Sequence, residues 1–400
     1  MGSRAIFEVA VIGLGAMGSA TLYQLARRGV RAVGIDRFHP PHDAGSSHGE
    51  TRITRRANGE GDAYGPPAIR SHELWREIEA DAGAALLTEC GALIIAPRGD
   101  AVVRRARTQF LQRTQDLAAR FGIAHEILDA AEIHRRYPQF LVRDEEIAYF
   151  EPGGGYVYPE RCISAQLDRA QARGAEIRPG TRVHAIGQAG DHVHIATEGG
   201  DLLAGYAVVS AGAWAGPLLG PPFDRLLKPI CQTLHWFAVA GAGVERWRQG
   251  PVFSWSHGPD EDDFFYGFPC LPWGDAVKTS GDRYHAAVDP DHLDRVLAAG
   301  DPGAMHARHV AARLADVTAR AVRSATCLYT VTPDSHFLID RHPRQERILV
   351  VSPCSGHGFK HSPAIGEAVA ELILQGRSTI DLSAFSLARF PQAAAPALSH

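Results

Sequence analysis

The segment VAVIGLGAMGSATLYQLARRGVRAVGID, from Val9 to Asp36, carries the most specific pattern in the sequence. It opens with a short, continuous apolar run, which is typical of a parallel strand buried on both faces. Three glycines follow in the spacing G-x-G-x-x-G, at Gly13, Gly15 and Gly18. In a dinucleotide fold such glycines allow a tight turn, a close approach of the pyrophosphate to the backbone, and close packing of helix on strand.

The residues after Gly18 complete a strand–helix–strand unit. Apolar residues at helical spacing predict a helix that ends at Gly29, and Arg31–Ile35 is predicted to be the second strand. The helix N-terminus would present unpaired N–H groups to phosphates. Asp36 stands where a carboxylate holds a ribose hydroxyl. The unit therefore predicts a dinucleotide site, and at this point both NAD and FAD remain open.

The composition is that of an ordinary globular protein. The 400 residues are 45% apolar and 22% charged, with a net charge of −4, and this length is enough for about two or three domains. So small a charge indicates neither a nucleic-acid nor an anionic-membrane partner. Six cysteines without a C-x-x-C pair indicate no metal site and no disulfide framework. Because the N-terminal apolar run is also too short to span a membrane and lacks a cleavage pattern, we expect a cytoplasmic protein.

Later segments continue the nucleotide fold in separate pieces. A helix and a strand are predicted over 162–186, and a strand with a small-residue turn over 206–216. Residues 347–376 predict a further strand, a Gly-rich turn and a helix that begins near Pro363. A pyrophosphate needs one such turn, whereas a second positive helix N-terminus suits an isoalloxazine, whose reduced ring carries negative charge near N1 and C2=O. The second turn therefore favours FAD over NAD.

Three other regions do not fit a plain nucleotide fold. Residues 220–330 hold strands and aromatic side chains and are predicted to form an inserted substrate domain. Residues 101–136 are predicted to be helical surface packing. The polar loop Gly45–Tyr64 is either a solvated surface loop or a basic loop beside a bound anion, since it holds a histidine and several arginines.

These pieces predict an α/β fold with two domains. The FAD-binding, Rossmann-like domain is discontinuous and is assigned residues 1–88, 149–219 and 334–400. The substrate domain, an α+β domain with an antiparallel sheet, is assigned residues 89–148 and 220–333.

One cysteine lies in an otherwise ordinary strand-like segment, SATCLYTVTPDSHFLID, from Ser324 to Asp340. Free cysteine is among the most buried residue types and packs as a small hydrophobe. Cys327 is therefore either a core residue or the site of a bond, and its local sequence leaves both open.

Taken together, these segments resemble the family of monomeric sarcosine oxidase and N-methyltryptophan oxidase, from the first strand to Phe390. The resemblance is carried by the motifs GLGAMG, PPHDAGSSHGETRITR, SAGAW, FYGFP, DAVK, TCLYT, HFLID and CSGHGFKHSPAIGE. It implies a two-domain, monomeric FAD protein that oxidises secondary amino acids and passes the electrons to O2.

The resemblance assigns Cys327, in TCLYT, as the residue that binds FAD covalently, through a thioether to the 8α carbon of the flavin (8α-S-cysteinyl FAD). It also implies that His48 and Arg52 lie against the flavin and assist the attachment, where a cation fits anionic flavin. The other expected FAD contacts are Gly13, Gly15, Gly18, Asp36, Val183, Gly212, Gly356, His357, Gly358 and Phe359.

The resemblance also assigns the substrate site. Arg55 and Lys360 match the pair that holds the substrate carboxylate, which agrees with the bidentate fork of arginine and the point charge of lysine. The alternative is two surface cations. Tyr266 and Tyr329 match positions that line the site, with plain packing as their alternative. Lys278, in DAVK, matches the oxygen-activating lysine, with a surface lysine paired to a nearby aspartate as its alternative.

Two positions depart from the family pattern. Asp282 stands four residues after Lys278, where the family usually has a histidine, and Asn58 stands where a tyrosine is common. A carboxylate at this position would hold an ammonium form of the substrate or select a substrate with an extra donor or cation. The nearby His285 is a second candidate for the space. These departures make sarcosine itself a doubtful substrate.

The sequence therefore predicts a flavin-dependent oxidase of a secondary or cyclic α-amino acid. Its alternatives are an oxidase of the same fold whose cyclic imino acid product is oxidised further, a redox flavoprotein without amine chemistry, and an NAD-dependent dehydrogenase. Arg55 and Lys360 argue against the redox carrier. Cys327 and the second Gly-rich turn have no role in the dehydrogenase.

Overall fold

The computed structural model describes residues 6–99, 109–282, 284 and 286–390. Its strands are β1 (Ile6–Ile12), β2 (Ala32–Ile35), β3 (Arg52–Thr54), β4 (Leu87–Thr88), β5 (Ala92–Pro97), β6 (Glu126–Asp129), β7 (Glu146–Glu151), β8 (Gly155–Val157), β9 (Glu176–Arg178), β10 (Val183–Ala189), β11 (His192–Thr197), β12 (Leu202–Val209), β13 (Lys228–Val239), β14 (Val252–Ser256), β15 (Phe264–Phe268), β16 (Ala276–Gly281), β17 (Val317–Val331), β18 (Leu338–His342) and β19 (Gln345–Ser352). Its α-helices are α1 (Ala16–Arg27), α2 (Gly65–Ala82), α3 (Phe110–Arg120), α4 (Ala130–Arg136), α5 (Pro159–Ala172), α6 (Ala215–Leu219), α7 (Phe223–Leu226), α8 (Gly243–Arg248), α9 (Asp301–Met305) and α10 (Ser362–Gln375). In the part of the chain described, no helix has the length and apolar character needed to cross a membrane.

The first large sheet has a parallel core, in the order β9, β2, β1, β12 and β19, to which β10, β11 and β18 add antiparallel pairs. Along β1, Val9 and Val11 belong to one buried core, while Ala10 and Ile12 belong to another on the opposite face. Burial on both faces explains why the strand is a continuous apolar run rather than an alternating one.

The helices predicted from the sequence cover one face of this sheet. Leu22 and Leu25 of α1 share a core with Leu167 of α5 and Val369 of α10. The first helix, α1, ends at Arg27, two residues before Gly29. The helix α10 carries Pro363 in its first turn, as the sequence predicts. The first strand starts three residues earlier than the apolar run, because Ile6 and Phe7 already pair with β12.

The second large sheet runs in the order β17, β13, β16, β15, β14, β5, β7 and β6. Neighbouring strands are antiparallel except β14 and β5, which are parallel. The predicted antiparallel sheet of the substrate domain is therefore present. One of its strands, β7, crosses the boundary predicted between residues 148 and 149, and the domain boundaries themselves stay a prediction.

The region predicted as helical, 101–136, is only partly so. Residues 101–108 lie outside the described residues. In the remainder, α3 and α4 are separated by β6, which pairs with β7 at the edge of the second sheet. Leu128 is buried in this strand, so tertiary pairing outweighs the helical character of the flanking sequence.

Candidate active site

A cavity of about 580 Å³ lies between the carboxyl ends of the parallel strands and the antiparallel sheet. This is the edge at which α/β sheets bind ligands. Among the residues proposed from the sequence, the cavity is lined by Gly13, Gly15, Asp36, Arg52, Arg55, Val183, Gly212, Tyr266, Asp282, Cys327, Tyr329, Gly356, His357, Gly358, Phe359 and Lys360. Gly18, His48 and Lys278 lie outside this lining.

The glycines of the first turn have different surroundings. A Cβ on Gly13 would lie 2.7 Å from the carbonyl oxygen of Ser210, and a Cβ on Gly18 would lie 1.7 Å from the carbonyl oxygen of Gly13. Both positions therefore exclude any side chain for packing reasons. Gly15 instead faces the cavity, where its nearest neighbour would be Ser47 Oγ at 3.5 Å. The backbone at Gly15 is thus open to a close approach by a phosphate.

Asp36 is held in a fixed orientation on the cavity wall. Its Oδ2 accepts a hydrogen bond of 2.7 Å from the N–H of Leu14, and its Oδ1 accepts one of 2.8 Å from the N–H of Phe38. The carboxylate is buried beside the glycine turn that it braces. Its predicted contact with a ribose hydroxyl stays a prediction.

The second Gly-rich turn follows β19 and enters α10 through a short 3₁₀ turn at Phe359–His361. A Cβ on Gly358 would lie 1.6 Å from the carbonyl oxygen of Pro353, so the turn folds tightly onto itself. Its residues line the same cavity as the first turn. The two turns, about 340 residues apart in sequence, therefore serve one site.

The loop before β3 is held from two sides. Its residues Gly49 and Glu50 have positive φ angles of 93° and 70°, a conformation that is costly for a side-chain-bearing residue. Glu160 Oε1 accepts the N–H groups of Gly49 and Glu50 at 2.6 and 3.1 Å. Lys278 Nζ donates to the carbonyl oxygens of Gly49 and Thr51 at 2.8 and 2.7 Å. These bonds stabilise the strained loop that carries His48 and Arg52.

The charges around this loop are unequal. Burial, followed by repulsion from Arg52, lowers the pKa of His48 to about 4, so this imidazole is neutral near pH 7. Burial and Arg52 also lower the pKa of Lys278 well below 10.5, while Glu160 and Glu50 oppose that shift. The alternative of a surface lysine paired with an aspartate is wrong, because Lys278 is buried against backbone carbonyls. Arg52 is the cation that this loop presents to the cavity.

Cys327 lies in the cavity wall beside Arg52. An N–H of the guanidinium points at Cys327 Sγ over 3.5 Å and another donates to Thr51 O over 2.8 Å. Burial raises the pKa of the Cys327 thiol, and the charge of Arg52 opposes this rise. The site therefore pairs a buried sulfur with the group that stabilises its thiolate.

Arg55 and Lys360 are also buried in the lining of the cavity, so the alternative of two surface cations is wrong. Arg55 lies 3.6 Å from the carboxylate of Glu60, and its Nε has no hydrogen-bond acceptor. Lys360 Nζ donates to the carbonyl oxygen of His357 at 2.9 Å. Glu60 also comes within 4.0 Å of the His357 ring. The cavity lining thus combines these two cations with the carboxylate of Glu60.

A row of hydroxyl groups leads to Asp282. The Tyr266 and Tyr329 hydroxyls are 3.2 Å apart, and Tyr329 donates to Asp282 Oδ1 at 3.4 Å. Burial raises the pKa of both tyrosines, and Asp282 adds to the rise. Both phenols are therefore neutral donors next to a carboxylate that lines the cavity. Neither tyrosine is confined to core packing.

The other departure from the family pattern has a different position. Asn58 is buried outside the cavity lining, and its Nδ2 donates to the carbonyl oxygen of Arg56 at 3.0 Å. His285, the second candidate for the space near Asp282, lies outside the described residues. Of the two departures, Asp282 lines the cavity and Asn58 does not.

Comparison with known proteins agrees with this geometry. Residues 8–372 match the family described as FAD dependent oxidoreductase. The chain belongs to this family. Monomeric sarcosine oxidase from Bacillus sp. (strain B-0618) is 34% identical over 385 residues, covering 96% of each chain. N-methyl-L-tryptophan oxidase from Yersinia pestis (strain Pestoides F) is 34% identical over 388 residues, covering 96% of this chain and 99% of the relative. The resemblance read from the motifs is confirmed.

A solved structure confirms the fold of this FAD dependent oxidoreductase. NikD, described as an unusual amino acid oxidase essential for nikkomycin biosynthesis, superposes with a TM-score of 0.83 at 23% identity. The match covers 99% of this chain and 100% of that one. This match confirms the predicted α/β fold. The family match and the curated relatives confirm the FAD cofactor and the class of flavin enzyme, and they exclude the NAD-dependent dehydrogenase.

The cavity of the oxidoreductase fits FAD on structural grounds. Gly15 leaves room for a pyrophosphate, and Asp36 offers oxygens to a ribose. Arg52 also lines the cavity, and beside it His48 Nε2 is buried without a hydrogen-bond partner just outside the lining, as expected for a group that awaits a polar neighbour. Gly15, Asp36 and Arg52 thus offer a dinucleotide and its flavin three contacts in one cavity.

Two acidic residues of the oxidoreductase site were not predicted from the sequence. Glu60 lies five residues after Arg55 in a polar loop, and Glu160 lies just after Pro159 in the first turn of α5. An acid in a first helical turn is common for reasons of helix polarity alone. Glu160 contacts a loop 110 residues away, which no local pattern indicates.

Proposed function

We propose that this oxidoreductase is an oxidase of secondary α-amino acids, N-methylated or cyclic, similar in its reaction to sarcosine oxidase. The proposal rests chiefly on one observation, the convergence of Arg55 and Lys360 on the cavity that the flavin would share. When bound, FAD would accept a hydride equivalent from the carbon next to the substrate nitrogen, which also loses its proton, and would pass the two electrons to O2, giving an imine and hydrogen peroxide. Hydrolysis of the imine would then release an aldehyde and an amine.

The two cations define the orientation of the substrate. Arg55 Nε lacks an acceptor, and an arginine fork matches a carboxylate geometrically. Lys360 adds a second charge on the same wall. A carboxylate held there would place the adjacent amine toward Tyr266, Tyr329 and Asp282. No side chain needs to be a strong base if the amine binds in its neutral form, because orientation then carries the step.

Replacing Arg55 or Lys360 by alanine should weaken binding of a carboxylate-bearing inhibitor by more than about tenfold. Loss of one partner of a desolvated charge pair costs about 2–5 kcal/mol, and about 1.4 kcal/mol corresponds to one decade. The measurement is flavin difference absorbance during titration with an N-methyl amino acid analogue. A decarboxylated amine should bind the variants as it binds the parent.

Arg56→Ala is the matched control for these variants. Arg56 adjoins Arg55 but donates to Gly153 O and to Glu89, outside the cavity lining. Its replacement should leave inhibitor affinity unchanged. If Arg55→Ala and Lys360→Ala also bound the inhibitor like the parent, the substrate would not be held at this wall.

Replacing Asp282 by histidine should shift substrate preference toward simple N-methyl amino acids. Asp282 lies beside the tyrosine pair, where a carboxylate favours a substrate that bears an additional donor or positive charge. The measurement is a ranking of amino acids by peroxide release. Asp275→Asn is the control, because that carboxylate pairs with Arg248 at the surface. An unchanged ranking would place Asp282 outside substrate selection.

A panel of secondary and cyclic amino acids tests the proposed function as a whole. Anaerobic addition of a substrate should bleach the yellow flavin, and air should restore it with peroxide release. A cyclic substrate whose product consumes more than one O2 would favour the alternative in which the imine is oxidised further. A redox flavoprotein would be bleached by none of them. We also propose that the enzyme is a cytoplasmic monomer.

A further inference from the structure

Near Asp36 the cavity is bordered on two sides, by residues that follow strands of the first large sheet and by a segment that follows a strand of the second. One side holds Arg37 and Trp214, which follow β2 and β12. The other holds Asp291, in the segment between β16 and α9. Residues 286–300 of that segment are called the strap below. Because Asp36 belongs to this part of the cavity, the adenosine part of FAD would lie beneath the strap.

Asp291 ties the strap to the opposite side. Its Oδ1 accepts a hydrogen bond of 2.7 Å from the Arg37 guanidinium and one of 2.6 Å from Trp214 Nε1. Its Oδ2 lies 3.7 Å from the guanidinium of Arg182. Arg37 also stacks 4.9 and 5.0 Å from the ring centres of Phe38 and Trp214. One carboxylate therefore joins three segments of the nucleotide-binding sheet.

A second tie and an anchor complete the strap. Arg295 donates to the carbonyl oxygens of Asp43 and Ala44 at 3.2 and 2.5 Å, on the loop after β2. At its base, the N–H of Val288 donates to Pro229 O at 2.8 Å, on β13 of the antiparallel sheet. The strap is thus anchored to one sheet and fastened to the other.

The side chains that fasten the strap are partly exposed to solvent. The side chains of Asp291 and Arg37 are 31% and 26% exposed, and that of Arg182 is 50% exposed. Ion pairs at such exposure are weakened by water and salt. The bond from Trp214 to an ionised carboxylate is charge-assisted and less dependent on the arginines.

We propose that the strap is a latch over the nucleotide end of the cofactor cavity and that Asp291 is its fastening residue. Because Asp291 bonds to the protein's own side chains, the latch would oppose the entry of FAD as well as its release. This assignment requires that the chain binds FAD and does not depend on the substrate proposed above.

Rates of flavin uptake and release test the latch. The probe is an FAD analogue without the 8-methyl group, which cannot form a bond to Cys327 and so binds reversibly. Apoprotein from cells limited in riboflavin would be mixed with the probe, and flavin fluorescence would report uptake and, after dilution, release. The variants are Asp291→Asn, which removes the charge at nearly constant shape, and Asp291→Ala. The matched control is Asp294→Asn, whose carboxylate bonds within the strap to Val296 N–H.

Asp291→Ala should accelerate both uptake and release by at least about fivefold, as expected for loss of one charge cluster. Asp291→Asn should show a smaller acceleration, and Asp294→Asn none. Release from the parent should quicken between roughly 0.02 and 0.5 M NaCl, whereas release from Asp291→Ala should not. Faster release with unchanged uptake would make Asp291 a simple contact and overturn the latch, as would rates equal to those of the control. If Asp291→Ala does not fold, Asp291→Asn decides by the same two rates.

Discussion

Protein precipitated in acid should remain yellow, and a peptide containing Cys327 should carry the mass of the flavin. Cys327→Ser should fold, because the change is small, and should release all of its flavin on denaturation. The expectation follows from our proposal that Cys327 Sγ forms a thioether with the 8α carbon of FAD. The measurement is absorbance of pellet and supernatant, followed by mass spectrometry of the digest.

The surroundings of Cys327 support this proposal. The sulfur lines the cavity, and a buried thiol reacts only to the extent that it becomes a thiolate. Burial works against ionisation, and the Arg52 guanidinium at 3.5 Å works for it. In forming the bond, Sγ would replace one hydrogen of the 8-methyl group. The thiol proton and a proton from the methyl group would be released, and the two electrons would pass to O2. Arg52→Met should therefore slow attachment while leaving FAD bound.

A second cysteine in the same cavity gives the matched control. Cys354 also lines the cavity, and its sulfur accepts the N–H of Thr330 at 3.3 Å. Cys354→Ser should keep its flavin bound after denaturation. A colourless pellet from the parent protein would show that the flavin is not covalently bound. If Cys354→Ser lost its covalent flavin and Cys327→Ser kept it, the bond would be to Cys354 and our proposal for Cys327 would be wrong.

The local parts of this site were predictable because short sequences determine them. The spacing of Gly13, Gly15 and Gly18 specifies a turn with one open position, and that is the turn found. Asp36 follows its strand directly, so its place at the sheet edge needs no knowledge of the rest of the fold. The start of the helix near Pro363 was predictable because proline favours the first turn of a helix.

Contacts between distant segments were not predictable from local patterns. Cys327 meets Arg52 because the register between β13 and β17 pairs Cys327 with Gln232 and turns its sulfur toward the loop before β3. The partners of Lys278 are backbone carbonyls more than 220 residues away, so no side-chain pattern marks them. The resemblance to a family supplied the roles of these residues, whereas the structure supplies their neighbours.

Lys278→Met should slow reoxidation of the reduced enzyme by O2 at least about a hundredfold, while anaerobic reduction by substrate falls only modestly. O2 is neutral before it takes up an electron and anionic afterwards, so a nearby cation stabilises the transition state selectively. At about 4 Å and an effective dielectric constant of about 20, the Coulomb energy is roughly 4 kcal/mol. About 1.36 kcal/mol corresponds to a decade in rate, so the effect approaches about three decades.

The structure adds a competing explanation that the experiment has to separate. Lys278 also holds the loop that carries Arg52, through Gly49 O and Thr51 O. Methionine removes these bonds together with the charge. Glu160→Ala removes the two bonds on the other side of the same loop and leaves Lys278 in place. Lys278→Arg keeps a cation and should retain much of the oxygen reactivity.

Stopped-flow kinetics of the two half-reactions distinguish these explanations. If Lys278 serves oxygen, Glu160→Ala should reoxidise far faster than Lys278→Met. Glu160 also raises the pKa of Lys278, so the comparison is made over a range of pH. If Glu160→Ala stays as slow when the pH is lowered, the lysine acts by positioning the loop. If only reduction suffers in Lys278→Met, the lysine belongs to the substrate site. The pKa of Lys278 is lowered by burial and by Arg52, so its charge is lost at a lower pH than for an exposed lysine. Because the cation is the active form, reoxidation of the parent should slow as pH rises through that lowered pKa, and Lys278→Met should show no such slope.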